Sequence, residues 1–210
     1  MEIPKFLIER YQFWKENNFK DYKDIYQQAS KTPQKPIAMI ITCCDSRILE
    51  NTIFDGSIGN YFIHRNIANI IPSKNDEEEN IQTLSAIEYG LKVLKIPNLI
   101  ILGHSNCGGI EYYYKKIKEN KNINNFEYID KWVSCLSKIY SKIPGDLSED
   151  QKLTFFEQEN IKQSIRNLRE YEFINKLINE NKLNVIGLWY QINSGLIKFL
   201  DNNNCFTNLD

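Results

Sequence analysis

Pro36-Ile-Ala-Met-Ile-Ile-Thr-Cys43 runs directly into Cys44-Asp-Ser-Arg47, and this stretch decides how the chain is read. The apolar run is short, opened by a proline and closed by polar residues. It reads as a strand buried on both faces, as parallel sheets require. Working outward, Asn98-Leu-Ile-Ile-Leu-Gly103 has the same character, while Asn60-Tyr-Phe-Ile-His-Arg65 is a shorter and more polar strand. Leu183–Tyr190 reads as a fourth strand, and Gly195–Leu200 as a fifth, at an edge.

Between these runs the period changes. Ile81, Leu84, Ile87, Leu91 and Leu94 recur at helical spacing, and Asp76 to Glu79 would give that helix an acidic first turn. Further helical patterns run from Gly108 to Lys118, around Trp132 to Tyr140, and from Asp150 to Asn181; Asn120 to Asn125 reads as a loop. The first thirty residues are helical and rich in aromatics, with Pro33 and Pro36 ending them. Alternating strands and helices predict an α/β fold, with a mostly parallel sheet of four to five strands flanked by helices. A single domain follows for residues 1–210, with a helical arm at 1–32 and an α/β core at 34–201.

Two polar segments stand directly after buried strands: Cys43-Cys44-Asp45-Ser46-Arg47 and His104-Ser105-Asn106-Cys107. In open α/β sheets, ligand crevices form at those carboxyl ends. Taken alone, each segment reads as packed cysteines or a helix cap. Together they bring two sulfurs and one imidazole to neighbouring strand ends, and a Cys2His set leaves a tetrahedral zinc with one open position. Soft thiolates favour zinc over magnesium or calcium. Zinc lowers the pKa of a water it holds to about 7, which makes hydroxide available at neutral pH. Asp45 follows a ligand by two residues and is placed to accept a hydrogen bond from that water, with Arg47 as its partner.

Composition removes other classes. The five cysteines are an odd number, without a secretion signal at the N-terminus, which argues against a disulfide framework. Only His64 and His104 supply imidazoles, so chemistry needing several of them from one chain is excluded. The formal net charge of −1 leaves no basic excess for nucleic acid. No apolar run approaches the roughly 20 residues of a membrane helix. The expectation is a soluble cytoplasmic protein with no nucleic acid or membrane partner. Gly108-Gly109 alone is too little glycine for a nucleotide-binding loop.

The pattern Cys43-x-Asp45-x-Arg47 followed by His104-x-x-Cys107 resembles the signature of β-class carbonic anhydrases. The likeness extends to His64-Arg-Asn-Ile-Ala-Asn69, Ser85-Ala-Ile-Glu-Tyr-Gly90, Gly103–Gly109 and, more faintly, Gly187-Leu-Trp-Tyr190 with Gly195. It spans residues 34 to 200. The resemblance implies one Zn2+ per chain on Cys43, His104 and Cys107, and an Asp45–Arg47 dyad beside it. It implies a substrate pocket lined by Gln34, Phe62 and Tyr89, and a homodimer or dimer of dimers with active sites at the subunit interface. The implied reaction is reversible hydration of CO2 to bicarbonate and a proton.

Members with a noncatalytic bicarbonate pocket carry a tryptophan where this chain has Ile40, although Arg65 and Tyr190 match that pocket's arginine and tyrosine; Gln34 favours an open zinc site over one closed by the aspartate. Leu49 and Glu50 occupy the stretch where the family has a proline, and His64 replaces an apolar residue. Cys44 is expected to pack rather than ligate. Rival readings are a CS2 or COS hydrolase on the same scaffold and a catalytically silent zinc- or bicarbonate-binding module.

Overall fold

In the computed structural model, which describes residues 2–75, 81–119 and 126–209, the run that opened the sequence is strand β1, Ala38–Cys43, and all six of its residues are buried. Strands β2 (Tyr61–Asn66) and β3 (Asn98–His104) flank it in parallel. Strand β4, Asn184–Tyr190, continues the parallel set beside β3. Strands β5 (Ile197–Leu200) and β6 (Phe206–Asn208) finish the sheet in antiparallel order. The order is β2-β1-β3-β4-β5-β6.

The mostly parallel α/β sheet is therefore as expected, but among the described residues it has six strands where four to five were expected, and the segment read as an edge, β5, lies between β4 and β6. A tight turn makes the difference. Asp201 Oδ1 accepts from the N–H groups of Asn203 and Cys205, and Asn204 takes a left-handed φ of 62° that asparagine tolerates. The chain turns back there and adds a strand.

At the N-terminus, helix α1 (Lys5–Phe13) joins α2 (Phe19–Ala29) through a π-helical turn at Trp14–Asn18. Short α3 is Glu50–Ile53, and α4, Ile81–Glu88, runs on into a π turn at Tyr89–Val93. Helix α5 is Gly108–Lys118. The pattern around Trp132–Tyr140 resolves into α6 (Glu127–Val133) and α7 (Ser137–Tyr140), separated by a 3-10 turn. The pattern from Asp150 to Asn181 likewise splits into α8 (Glu149–Leu168) and α9 (Glu172–Asn179). Buried Tyr171 sits at that break, and its hydroxyl donates to the Pro72 carbonyl. The acidic run Asp76–Glu79 and the loop read at Asn120–Asn125 lie outside the described residues.

Met39, Ile41, Leu99, Ile101 and Trp189 form one sheet face, covered by Ile87 and Leu91 of the α4 region, Ile161 and Leu168 of α8, and Ile174 of α9. Each such aliphatic side chain contributes roughly 1.5–3 kcal/mol by leaving water. Helix α8 lies unusually close to the sheet. A Cβ on Gly103 would stand 2.7 Å from Ile161 Cδ1, and one on Gly187 would stand 2.9 Å from Ile165 Cδ1. Two glycines at neighbouring strand positions thus let the helix down onto β3 and β4.

The arm behaves otherwise. Phe6, Tyr11 and Phe13 are each more than half exposed, and no residue of α1 or α2 is buried. Among the described residues, no helix is long and apolar enough to cross a membrane.

Candidate metal centre

The connections leaving β1 and β3 diverge: β1 leads to β2 on one side, β3 to β4 on the other. Such a switch point opens a crevice at the carboxyl ends of the strands. Cys43 ends β1, His104 ends β3, and Cys107 caps α5 three residues later. Their ligand atoms lie within 4.8 Å of one another, and all three residues are buried.

The three donors fit a zinc ion. Cys43 Sγ and Cys107 Sγ are 3.8 Å apart, and zinc–sulfur bonds of about 2.3 Å in a tetrahedron place two sulfurs at about that separation. His104 Nδ1 is engaged with the Ser105 carbonyl at 2.9 Å, which directs the other ring nitrogen inward. That atom, Nε2, is buried with no hydrogen-bond partner. An unpartnered buried nitrogen facing two sulfurs is the mark of a ligand.

The electrostatics point the same way. Cys43 is pulled well below the usual thiol range, first by the Cys107 thiol, which donates to its sulfur, and further by His104 and the Ala68 N–H. Cys107 is pushed up in turn by that shared hydrogen bond and by burial. For His104 burial is the largest influence and lowers its pKa, but the Cys43 sulfur, the Ser105 carbonyl and Asp45 together carry it above the ordinary value. A divalent cation would satisfy all three by replacing protons.

Asp45 stands beside this group without joining it. Arg47 grips its carboxylate with both prongs, Nε on Oδ1 at 2.9 Å and Nη2 on Oδ2 at 2.7 Å, and the Arg47 backbone N–H adds a third bond at 3.0 Å. The guanidinium holds Asp45 far below the usual carboxylate range. Asp45 Oδ2 lies 4.0 Å from His104 Nε2. The carboxylate therefore faces the ligand set while bound to its arginine.

Other residues of the signature brace the centre. Arg65 donates to the carbonyls of Cys43, Asp45 and Ile48, pinning the loop after β1. Ala68 takes a left-handed φ of 62° and aims its N–H at Cys43 Sγ, 3.4 Å away. His64 is bonded through Nε2 to Thr83, a local structural contact. Cys44, expected to pack, is exposed instead; it directly follows the last residue of the fully buried β1.

The expected pocket residues are not beside this chain's own ligands. Phe62 pairs with Met39 in the sheet register, at the opposite end of β1 from Cys43, about 13 Å along the strand. Tyr89, 45% exposed, lies against Phe62 with ring centroids 5.9 Å apart. Gln34 is exposed on the approach to β1.

Sequence reasoning missed Glu157. This carboxylate on α8 is 4% exposed and accepts from the Cys107 N–H and the Trp189 indole N–H, both at 3.1 Å. Burial raises its pKa to about 7 against those two donors. Its signal in the sequence was a polar residue on the buried stripe of α8, repeated at Asn160, Ser164 and Asn167.

A parallel sheet with an open Cys2His set at its switch point defines a metalloenzyme of the α/β class. Residues 38–197 match the model of the carbonic anhydrase family. The carbonic anhydrase of Helicobacter pylori strain J99 is 31% identical over 188 residues, covering 88% of this chain and 84% of its own length. Beta carbonic anhydrase 3 of Arabidopsis thaliana is also 31% identical, over 87% of this chain and 70% of its own. The solved structure of the β-carbonic anhydrase CcaA superposes with a TM-score of 0.88 at 27% identity, covering 98% of this chain and 92% of that one. This chain belongs to the β-class carbonic anhydrases.

Proposed function

We propose that the chain binds one Zn2+ through Cys43, His104 and Cys107 and hydrates CO2 reversibly to bicarbonate and a proton. The convergence of three buried donors beside an arginine-held aspartate carries this reading. Bound zinc supplies Lewis acidity and makes hydroxide available near neutral pH. Asp45, ionised and acceptor-only, takes a hydrogen bond from the attacking oxygen and fixes its orientation. Arg47 keeps the carboxylate charged and turned, so that it acts as an acceptor and not as a further metal ligand. This is the open form of the site.

Gln34, Phe62 and Tyr89 line the substrate pocket, and their distance from this chain's own ligands supports completion of the pocket by a second copy. Self-association as a homodimer or dimer of dimers follows, and the exposed aromatic arm is suited to it. One of the structures similar to this chain is described as a tetrameric β-carbonic anhydrase from Sordaria macrospora, at 26% identity and a TM-score of 0.79 over 96% of this chain and 97% of its own. Residues 1–32 act as the arm and 34–201 as the zinc-binding core of one cytoplasmic domain.

Stopped-flow CO2 hydration on protein of measured zinc content tests the proposal. Activity that rises with pH between about 7 and 8.5 and is lost on zinc removal is the expected result. One zinc per chain with no CO2 hydration would overturn it, and rates on CS2 and COS would then separate a sulfur-substrate hydrolase from a silent zinc-binding module.

A further inference from the structure

The peptide bond between Asn106 and Cys107 is held at both of its polar ends. Its N–H donates to Glu157 Oε1 at 3.1 Å, and its C=O, the Asn106 oxygen, accepts from Arg47 Nη2 at 2.9 Å. On one side stands a buried carboxylate of α8, and on the other the guanidinium that also grips Asp45. A single peptide plane therefore separates a metal ligand from the dyad, and its orientation fixes both. Rotating it would turn the Cys107 sulfur away from Cys43 and His104, and would withdraw the carbonyl that holds Arg47.

We infer that Glu157 is the positioning residue of this peptide, setting the direction of the Cys107 sulfur and, through Asn106 and Arg47, the placement of Asp45. The inference rests on the reading of Cys107 as a zinc ligand and deepens it.

Three features single out Glu157. Cys107 is the N-cap of α5, and the first N–H groups of a helix have no intrahelical acceptor, so this one depends on a side chain. Asn106 carries a left-handed φ of 56°, a turn that the flanking bonds must hold in place. The remaining polar residues of the same helical stripe point elsewhere: Asn160 donates to the Ala68 carbonyl, Ser164 binds the Ile71 N–H, and Asn167 donates to the Ile71 carbonyl. Glu157 alone among these four reaches the metal loop.

The chemistry also requires a carboxylate. Two N–H donors, from Cys107 and Trp189, converge on it, and the ionised carboxylate, acceptor-only, satisfies both. A glutamine of the same shape turns its NH2 towards one of those donors. The second bond, to Trp189 of β4, anchors the carboxylate from behind and gives a control, because it can be removed without touching Cys107.

The test uses full-length wild type, Glu157→Gln and Trp189→Phe, loaded with zinc or with cobalt(II). Competition with a chromophoric chelator measures zinc affinity, and the thiolate-to-cobalt absorption band reports the sulfur geometry. Glu157→Gln is expected to lose roughly 10–100-fold in zinc affinity, shift the cobalt band, and lower kcat with KM little changed. Trp189→Phe is expected to move each readout much less. An unchanged cobalt band and affinity in Glu157→Gln would overturn the inference, as would Trp189→Phe matching it, since the carboxylate would then only tie α8 to β4.

Amide exchange on wild type decides the matter where Glu157→Gln does not fold. A protected Cys107 N–H is expected, and a fast-exchanging one overturns the inference. Failure of the zinc reading is seen separately, as wild type that binds no metal.

Discussion

Helix α8 and the N-terminal arm invert the usual arrangement in opposite ways. One buried stripe of α8 carries the polar residues Glu157, Asn160, Ser164 and Asn167. The arm holds Phe6, Leu7, Tyr11 and Phe13 out in the open. Every polar side chain on the stripe answers a backbone group that lacks a ladder partner, in the 68–71 segment or at Cys107. Burial of those groups is tolerated because each bond is made. The aromatics of the arm have no such internal answer. Burying polarity thus serves the chain's own irregular loops, while the exposed apolar surface of the arm is what the proposed self-association would cover.

The α8 side of this contrast ends on the metal loop, and the largest effect is expected there. Cys107→Ser should abolish CO2 hydration and stoichiometric zinc binding, checked by metal analysis after dialysis. Retained zinc at one per chain would detach the α8 stripe from the function assigned to it. Next in size, Asp45→Ala should keep its zinc but lose about 10²-fold or more in kcat. Full activity in that variant would remove the carboxylate from the reaction.

Asn160→Ala leaves the buried Ala68 carbonyl without its donor, and should cost about 1–3 kcal/mol in denaturant unfolding. The opposite result is expected in the arm. Phe6→Ser combined with Phe13→Ser should leave the stability of an isolated chain almost unchanged, because both rings already face solvent. The same pair should weaken association in sedimentation velocity and make Tm depend more steeply on protein concentration. Unaltered assembly in that variant would break the comparison by leaving the arm without a role.

The smallest effect concerns pH. Burial lowers the pKa of His64 from its ordinary 6.5. A depressed folded-state pKa means that the unfolded chain binds the proton more readily, so stability is fully present above 6.5 and declines as pH falls below it. His64→Gln should remove that part of the pH dependence, as read from unfolding curves at about pH 7.5 and 5.5.

Much of this was legible beforehand, for physical reasons that differ by element. Strands β1 and β3 are buried on both faces, so their sequences are continuous apolar runs that permit few other readings. The ligand set was legible because chemistry restricts it: two sulfurs and an imidazole at adjacent strand ends have few other uses. Strand β6 was not, since three residues, Phe206–Asn208, carry too little pattern. Neither was the break between α8 and α9, where no proline or glycine intervenes and the packing of Tyr171 ends the helix. Glu157 looked like one more charge on a charged helix, and only the close seating of α8 over Gly103 and Gly187 gives it a target.

The left-handed backbone at Ala68 has a consequence for the sulfur it faces. Its N–H on Cys43 Sγ draws electron density from a thiolate that would otherwise donate it fully to a cation. Two thiolates and an imidazole quench a dication more than three imidazoles do, so a backbone donor aimed at one sulfur restores part of the lost acidity. The conformation costs on the order of 1 kcal/mol in an alanine. A β-branched side chain would raise that strain and crowd Gly109, on which a Cβ would already stand 3.2 Å from Ala68 Cβ. Variation at position 68 is therefore confined to small residues, by the reactivity of an atom twenty-five positions away.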